Sequence, residues 1–428
     1  MNGQTKSPAN GSMNRQGRKV DVLVIGAGPA GAMVSAQLAT RGYEVLVLEK
    51  QKFPRFSIGE SLLANSLQFI EAAGMGEAVF ARNFQFKNGA AFVRGRQGEE
   101  YAEYNFAEKS SAGPGFTFQV PRADFDQALA NEAARQGAEV QYEIEITAVT
   151  PGDDEVLVES RDKAGALTPY RARFVLDASG FGRTLPRLLD LERPSDFPVR
   201  AALFTQVEDR IESGAFDRQK IRVSIHPEHS DVWYWLIPFS NGRCSVGVVA
   251  TREFHQRFTG TTQERLFKII GEETSLAKLL ARATPVIPVG EIVGYAARVT
   301  CVHGPGFALL GNAAEFLDPV FSSGVTIAMQ SAQLAAAALD RQFRGERVDW
   351  EESFARPLAY GVDTFRAFVN TWYDGSLQDI FFYDRQDPAV RRMICSVLAG
   401  YAWDTTNPYT GPHAYRRLKT LAEMCRRG

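Results

Sequence analysis

Six residues do most to limit what this chain can fold into: Gly26-Ala-Gly28-Pro-Ala-Gly31. Before them, Val20-Asp-Val-Leu-Val-Ile25 reads as a buried parallel strand, because its apolar run is almost continuous. After them an apolar helix runs to about Thr40, Arg41-Gly42-Tyr43 closes it, and Glu44 to Leu48 forms the next strand. This is a βαβ unit, and it sets the class as α/β. Each glycine has its own task. Gly26 permits the tight turn, Gly28 lets the backbone approach a pyrophosphate, and Gly31 lets the helix sit close to the strand. The amides at the helix start then face phosphate. Glu49, 23 residues past Gly26, suits the ribose hydroxyls. A lone G-x-G-x-x-G is a weak signal, but strand, helix and acid agree here. Only one full fingerprint is present, so one dinucleotide is expected and no second unit for NADPH.

The rest of the chain divides by pattern. Residues 123–136 read as a helix with Phe125, Leu129 and Ala133 on one face, followed by strands at 138–149 and 155–160. Phe174-Val-Leu-Asp177 is another buried strand. From Val199 to Ala250 the pattern becomes long alternating strands, with Asn241-Gly242 marking a tight hairpin. Residues 307–311 return to a parallel strand, and a helix follows at 324–343. We therefore expect a cofactor domain over 18–198 and 299–345, with substrate-side strands interleaved at about 85–120. An antiparallel-sheet substrate domain is expected over 199–298. The tail, 346–428, reads as helical. It holds 14 aromatic residues between Trp350 and Tyr415, about double the chain-wide density. Such density suits a cover over an apolar cavity, or ordinary helical core.

Composition excludes several partners. Forty-eight basic residues against 50 acidic ones leave a net charge of −2, which argues against nucleic acid or anionic membrane. The four cysteines are scattered without C-x-x-C or Cys/His spacing, so no metal site or disulfide scaffold is expected, and a cytoplasmic setting fits. Residues 1–17 are polar with no apolar signal core and read as a disordered leader. Pro319 to Leu339 carries no charge, but its Ser, Thr and Gln content favours a buried helix over a membrane span. The five histidines show no paired spacing, and none stands out as a general base.

Two further segments carry chemistry. Trp233-Tyr-Trp235-Leu-Ile237-Pro238 alternates along a strand, so Trp233, Trp235 and Ile237 share one face. Taken alone, this is ordinary sheet core. Phe316-Leu-Asp-Pro319-Val-Phe-Ser322-Ser323-Gly324 is a turn opening a helix, where exposed amides form an anion site and a serine N-cap is equally at home.

Together with Phe56-Ser-Ile58-Gly59-Glu60-Ser61 and Phe86-Lys87-Asn-Gly89-Ala-Ala-Phe92, these motifs resemble the flavin-dependent halogenases, over about residues 20–345 and more weakly in the tail. The resemblance implies an FAD-binding Rossmann-like domain of the para-hydroxybenzoate hydroxylase type, an antiparallel-sheet substrate domain and a helical C-terminal segment. It implies that reduced FAD, delivered by a separate flavin reductase, and oxygen convert chloride or bromide into hypohalous acid. That acid travels to a lysine, here Lys87, beside the substrate. Ser323 and Gly324 would hold halide. Trp233, Trp235, Ile237, Pro238, Phe316 and Pro319 would wall the flavin from the substrate. The implied FAD contacts are Gly26, Gly28, Ala30, Gly31, Glu49, Lys50, Ile58, Arg122, Asp177, Gly311, Asn312, Pro319, Gly324 and Val325.

Two departures stand out. Tryptophan halogenases carry a glutamate where Phe321 stands, so the phenol or pyrrole branch is favoured, with a substrate free or tethered to a carrier protein. Asn312 replaces the usual aspartate after the glycine, keeping an acceptor but losing charge. A halide-independent flavin oxidoreductase of the geranylgeranyl-reductase type, or a degenerate flavin-binding subunit, are the alternatives.

Overall fold

The computed structural model describes residues 17–427. The leader expected over 1–17 therefore lies outside the described residues, apart from Gly17. The strand Arg18–Ile25 pairs in parallel with Val45–Glu49 on one side and Leu167–Asp177 on the other. Glu139–Tyr142 and Phe307–Leu309 extend this parallel sheet at its two edges. Val22 and Val24 face the helices Pro29–Ala39, Arg122–Arg135 and Ser323–Phe343. Leu23 and Ile25 face the other way, under Ile146, Val156 and Val158. Both faces of the strand are covered, which is why its sequence is a continuous apolar run.

The strand expected at 138–149 is two strands. Glu143 takes a left-handed conformation, φ +64°, and breaks it. Glu139–Tyr142 stays on the parallel sheet, while Ile144–Thr150 turns into an antiparallel meander with Val156–Asp162 and Leu167–Asp177.

The second sheet has the order Thr284–Pro285, Arg200–Glu208, Arg243–Thr251, Trp233–Pro238, Lys220–Ile225, Gly89–Arg94, Glu100–Asn105. Gly89–Arg94 joins it in parallel, and the other pairings are antiparallel. The Trp233–Pro238 strand is buried along its whole length. Its even-numbered residues Tyr234 and Leu236 pack under the helices Thr262–Glu272 and Thr274–Leu279. Its odd face, Trp233, Trp235 and Ile237, joins the core shared with the C-terminal helices. Gly247 sits directly across from Trp235, and a Cβ there would lie 2.4 Å from the indole ring, so glycine makes the room this side chain needs. Asn241-Gly242 makes the expected hairpin, with Gly242 at φ +77°.

The tail folds as the helices Arg356–Tyr373, Ser376–Phe381, Pro388–Leu398 and Ala414–Arg427. Phe354, Phe365, Phe368, Trp372 and Phe381 are fully buried, so the aromatic density is core. No described helix is long and apolar enough to cross a membrane, and the four cysteines are free.

Candidate functional site

A cavity of about 800 Å³ connects the glycine loop to the 316–325 turn and the tryptophan strand. At one end it is lined by Gly26, Gly28, Pro29 and Ala30, with Glu49 and Lys50 beside them. Gly26 has φ +94°, and a Cβ on Gly31 would lie 1.9 Å from the Gly26 carbonyl oxygen. No side chain fits there, as the spacing required. Glu49 accepts hydrogen bonds from the amides of Ala27 and Gln51, which fixes it against the loop. The helix Pro29–Ala39 opens on Pro29 with no side-chain cap, leaving its first amides directed at the loop. Lys50 is exposed and paired with Glu145 at 2.6 Å.

Arg122 is buried and fully engaged. It makes a bidentate pair with Asp126, at 2.7 and 2.9 Å, and donates to the Ile58 carbonyl. It thus holds the 56–61 loop against the cavity. Arg55 shares Asp126 at 2.9 Å, and its guanidinium lies 3.5 Å from the position of a Gly28 Cβ. A cation at that point suits a pyrophosphate. Asp177 lies outside the cavity wall. Its two oxygens accept from the amides of Ser179 and Leu185, and burial pushes its carboxyl upward. It shapes the loop that carries the lining residues Ser179 to Gly182. Gly311, Asn312, Pro319, Gly324 and Val325 all line the cavity, and the Asn312 amide oxygen lies 3.6 Å from where a Gly324 Cβ would be. The loop, the open helix start, Arg55 and the volume of the cavity fit FAD.

At the other end, Asp318 caps the turn by accepting from the Val320 amide, and Pro319–Phe321 forms one turn of 3-10 helix. Ser322 then takes a left-handed conformation, φ +55°, and the helix Ser323–Phe343 begins with no side-chain cap. Left-handed serine costs on the order of 1 kcal/mol and gathers at functional turns. The first amides of this helix, those of Ser323 and Gly324 among them, therefore have no side-chain cap. Ser322 and Gly324 line the cavity, while the Ser323 side chain is buried behind it.

Trp233, Trp235 and Ile237 line the cavity from one strand face, and Phe316 and Pro319 line it too; Pro238 is buried outside the cavity. Each indole is tethered. Trp233 donates to the Tyr373 hydroxyl at 2.9 Å, and Tyr373 in turn donates to Asp318 at 2.8 Å. Tyr295 donates to the same Asp318 oxygen at 3.0 Å. The tail therefore ties the wall to the turn from behind, and none of its residues lines the cavity.

Lys87 is buried and does not line this cavity. Its amine donates to Ser61 Oγ at 2.8 Å and to the Leu62 carbonyl at 2.7 Å, and lies 5.2 Å from the centre of the Phe106 ring. No carboxylate pairs with it among the described residues, and burial pulls its amine down to about 7. Ser61 lines the cavity, so one serine separates the lysine from it.

The chain is similar to several known proteins. The FAD binding domain family matches residues 19–351. A 1H-pyrrole-2-carbonyl-(peptidyl-carrier protein) chlorinase of Pseudomonas fluorescens is 29% identical, across 94% of this chain and 92% of its own. A tryptophan 2-halogenase of Chondromyces crocatus is also 29% identical, across 76% of this chain and 62% of its own. The solved structure of the flavin-dependent brominase Bmp2 superposes with a TM-score of 0.81 at 25% identity, covering 96% of this chain and 99% of that one. The chain belongs to the flavin-dependent halogenase family.

As a member of that family it is an FAD-dependent oxidoreductase, related to both the carrier-tethered and the tryptophan branches. A flavoprotein/dehydrogenase of Cytophaga hutchinsonii also superposes closely, with a TM-score of 0.92 at 44% identity, covering 96% of this chain and all of that one. Phe321 points into the core of this halogenase-family protein, edge-on to Phe368 and Trp372. A carboxylate could not be buried there without a partner. Sequence reasoning missed Arg55, which has no motif to mark it among 48 basic residues. It also gave no role to Glu60, although the segment holding it was in view.

Proposed function

We propose that this protein is a halogenase that uses chloride or bromide to halogenate an electron-rich aromatic ring, a phenol or pyrrole, free or bound to a carrier protein. FAD, reduced by a separate reductase, supplies with oxygen the oxidising power that converts halide to hypohalous acid. The chain's residues then do the rest. Gly26, Gly28, Ala30, Gly31, Glu49 and Lys50 hold the nucleotide half, in a fold of the para-hydroxybenzoate hydroxylase type. Ile58, Arg122, Asp177, Gly311, Asn312, Pro319, Gly324 and Val325 shape the flavin half. The amides of Ser323 and Gly324 bind halide by the partial charge of the helix start. Trp233, Trp235, Ile237, Phe316 and Pro319 keep the ring substrate away from the flavin, and Pro238 ends the strand that carries the two tryptophans. Lys87 hydrogen-bonds or captures the electrophile and presents it to the ring.

The observation that carries this reading is Lys87 itself. A buried lysine with neutral partners is costly, and an amine near neutrality suits either a hydrogen bond to hypohalous acid or haloamine formation. The pyrrole-acting relative supports the substrate class and the carrier-bound option. The Cytophaga flavoprotein/dehydrogenase favours one other reading, a halide-independent oxidoreductase. One assay separates them. With a flavin reductase, oxygen, bromide and a phenol or pyrrole, the wild type forms a brominated ring product and Lys87→Met does not. Turnover of the substrate at the same rate without any halide would sink the halogenase reading.

A further inference from the structure

Glu60 lines the cavity with its carboxyl buried, and it has no ion-pair partner among the described residues. Arg122, the cation that acts on it, spends its guanidinium on Asp126 and on the carbonyls of Ile58 and Gly59. Glu60 is held by neutral donors instead. Gln206 Nε2 donates to its Oε1 at 2.5 Å. The Trp235 indole donates to Ser245 Oγ at 3.0 Å. An indole N–H can only donate, so the Ser245 hydroxyl proton is free for Glu60, to which it bonds. One residue on, Ser61 accepts from Lys87. Glu60 is therefore tied through Ser245 to the Trp235 wall, and it is the chain neighbour of the serine that holds Lys87. Burial pushes its carboxyl up to about 7.

Ring halogenation needs a group there that can both give and take a proton. Phe321 offers none, no described histidine lines the cavity, Glu49 is committed to two loop amides and Glu145 is paired with Lys50. We infer that Glu60 is the proton-exchange residue of the ring substitution, a role that rests on the halogenase reading above. Its carboxylic acid protonates the oxygen of hypohalous acid as the halogen–oxygen bond breaks and the carbon–halogen bond forms. Water leaves, the electrophilic halogen is reduced and the ring carbon is oxidised. The Glu60 carboxylate then takes the ring proton, which restores the aromatic ring and the starting acid. Lys87 presents the electrophile, and Glu60 moves the proton.

The test is Glu60→Gln, which keeps shape and removes the exchangeable acid. With reductase, oxygen, bromide and a phenol deuterated at the reacting position, the variant's bromination falls by about 10²-fold or more. It also gains a primary isotope effect that the wild type lacks, because ring-proton loss becomes limiting. Infrared difference spectra of the FAD-bound protein show a carboxylic acid titrating near neutrality in the wild type and missing from Glu60→Gln. Ser245→Ala removes a donor to the carboxylate and shifts that titration to higher pH. A wild type that brominates, beside a Glu60→Gln that matches its rate without an isotope effect, overturns the Glu60 assignment alone. The assignment also falls if the infrared titration is unchanged in Glu60→Gln. A wild type with no bromide-dependent ring product overturns the halogenase reading and this role with it.

Discussion

Replacing Lys87 by methionine should stabilise the fold at pH 6 and bring no gain, or a loss, at pH 10. Burial lowers the Lys87 amine from its ordinary 10.5 to about 7, so its charged form is disfavoured in the fold. That drop corresponds to about 5 kcal/mol. The sign follows from proton linkage. Between pH 7 and 10.5 the unfolded chain holds the proton and the folded chain does not, so stability rises with pH across that window. The full cost, about 5 kcal/mol, is present at pH 6, and only about 1 kcal/mol is left at pH 10. Methionine fills a similar volume but leaves Ser61 Oγ and the Leu62 carbonyl without their donor, a loss of about 1–3 kcal/mol. Lys87→Met should therefore be more stable than the wild type by about 2–4 kcal/mol at pH 6, and equal or less stable at pH 10.

The assay is urea unfolding of both proteins at the two pH values. Taking the difference between the proteins at each pH cancels every other titrating group. A variant less stable than the wild type by the same amount at both pH values would refute the reasoning, because Lys87 would then be an ordinary charged, paired amine.

Other outcomes follow from the same geometry. Gly31→Ala places a Cβ against the Gly26 carbonyl, a close-packing strain of about 1–3 kcal/mol that should weaken FAD binding roughly 10–100-fold in a fluorescence titration. An unchanged affinity would show that the loop is not gripped as described. Tyr373→Phe strips Asp318 and the Trp233 indole of a shared partner and should cost about 1–3 kcal/mol at pH 7. Asp318 already has a raised carboxyl through burial, so the cost of ionising it grows as pH rises above the unfolded value. The loss in Tyr373→Phe should accordingly be smaller at pH 5 than at pH 7, and an equal loss would argue that Asp318 is not the group affected.

Much of the nucleotide half was legible, because the glycine loop is local: a turn, a close approach and a helix start occupy six consecutive residues. The break at Glu143 was not, since nothing in an alternating strand pattern marks a left-handed glutamate. The tryptophan strand shows a different limit. Its alternation is plain, but that both faces are buried depends on the helices at 262–279 and on a tail more than a hundred residues away. Arg55, Asp318 and Tyr373 act through partners distant in sequence, so no spacing announces them. Lys87 was found through its neighbours, whereas its separation from the cavity by Ser61 belongs to the packing of two short strands.

The measurement that bears most directly on halide chemistry is anomalous diffraction from FAD-loaded crystals soaked in bromide. A halide site at the helix start predicts a bromide peak within hydrogen-bonding distance of the Ser323 and Gly324 amides, on the cavity side of the turn. Bromide found only at surface positions, with that helix start empty at saturating concentration, would contradict it.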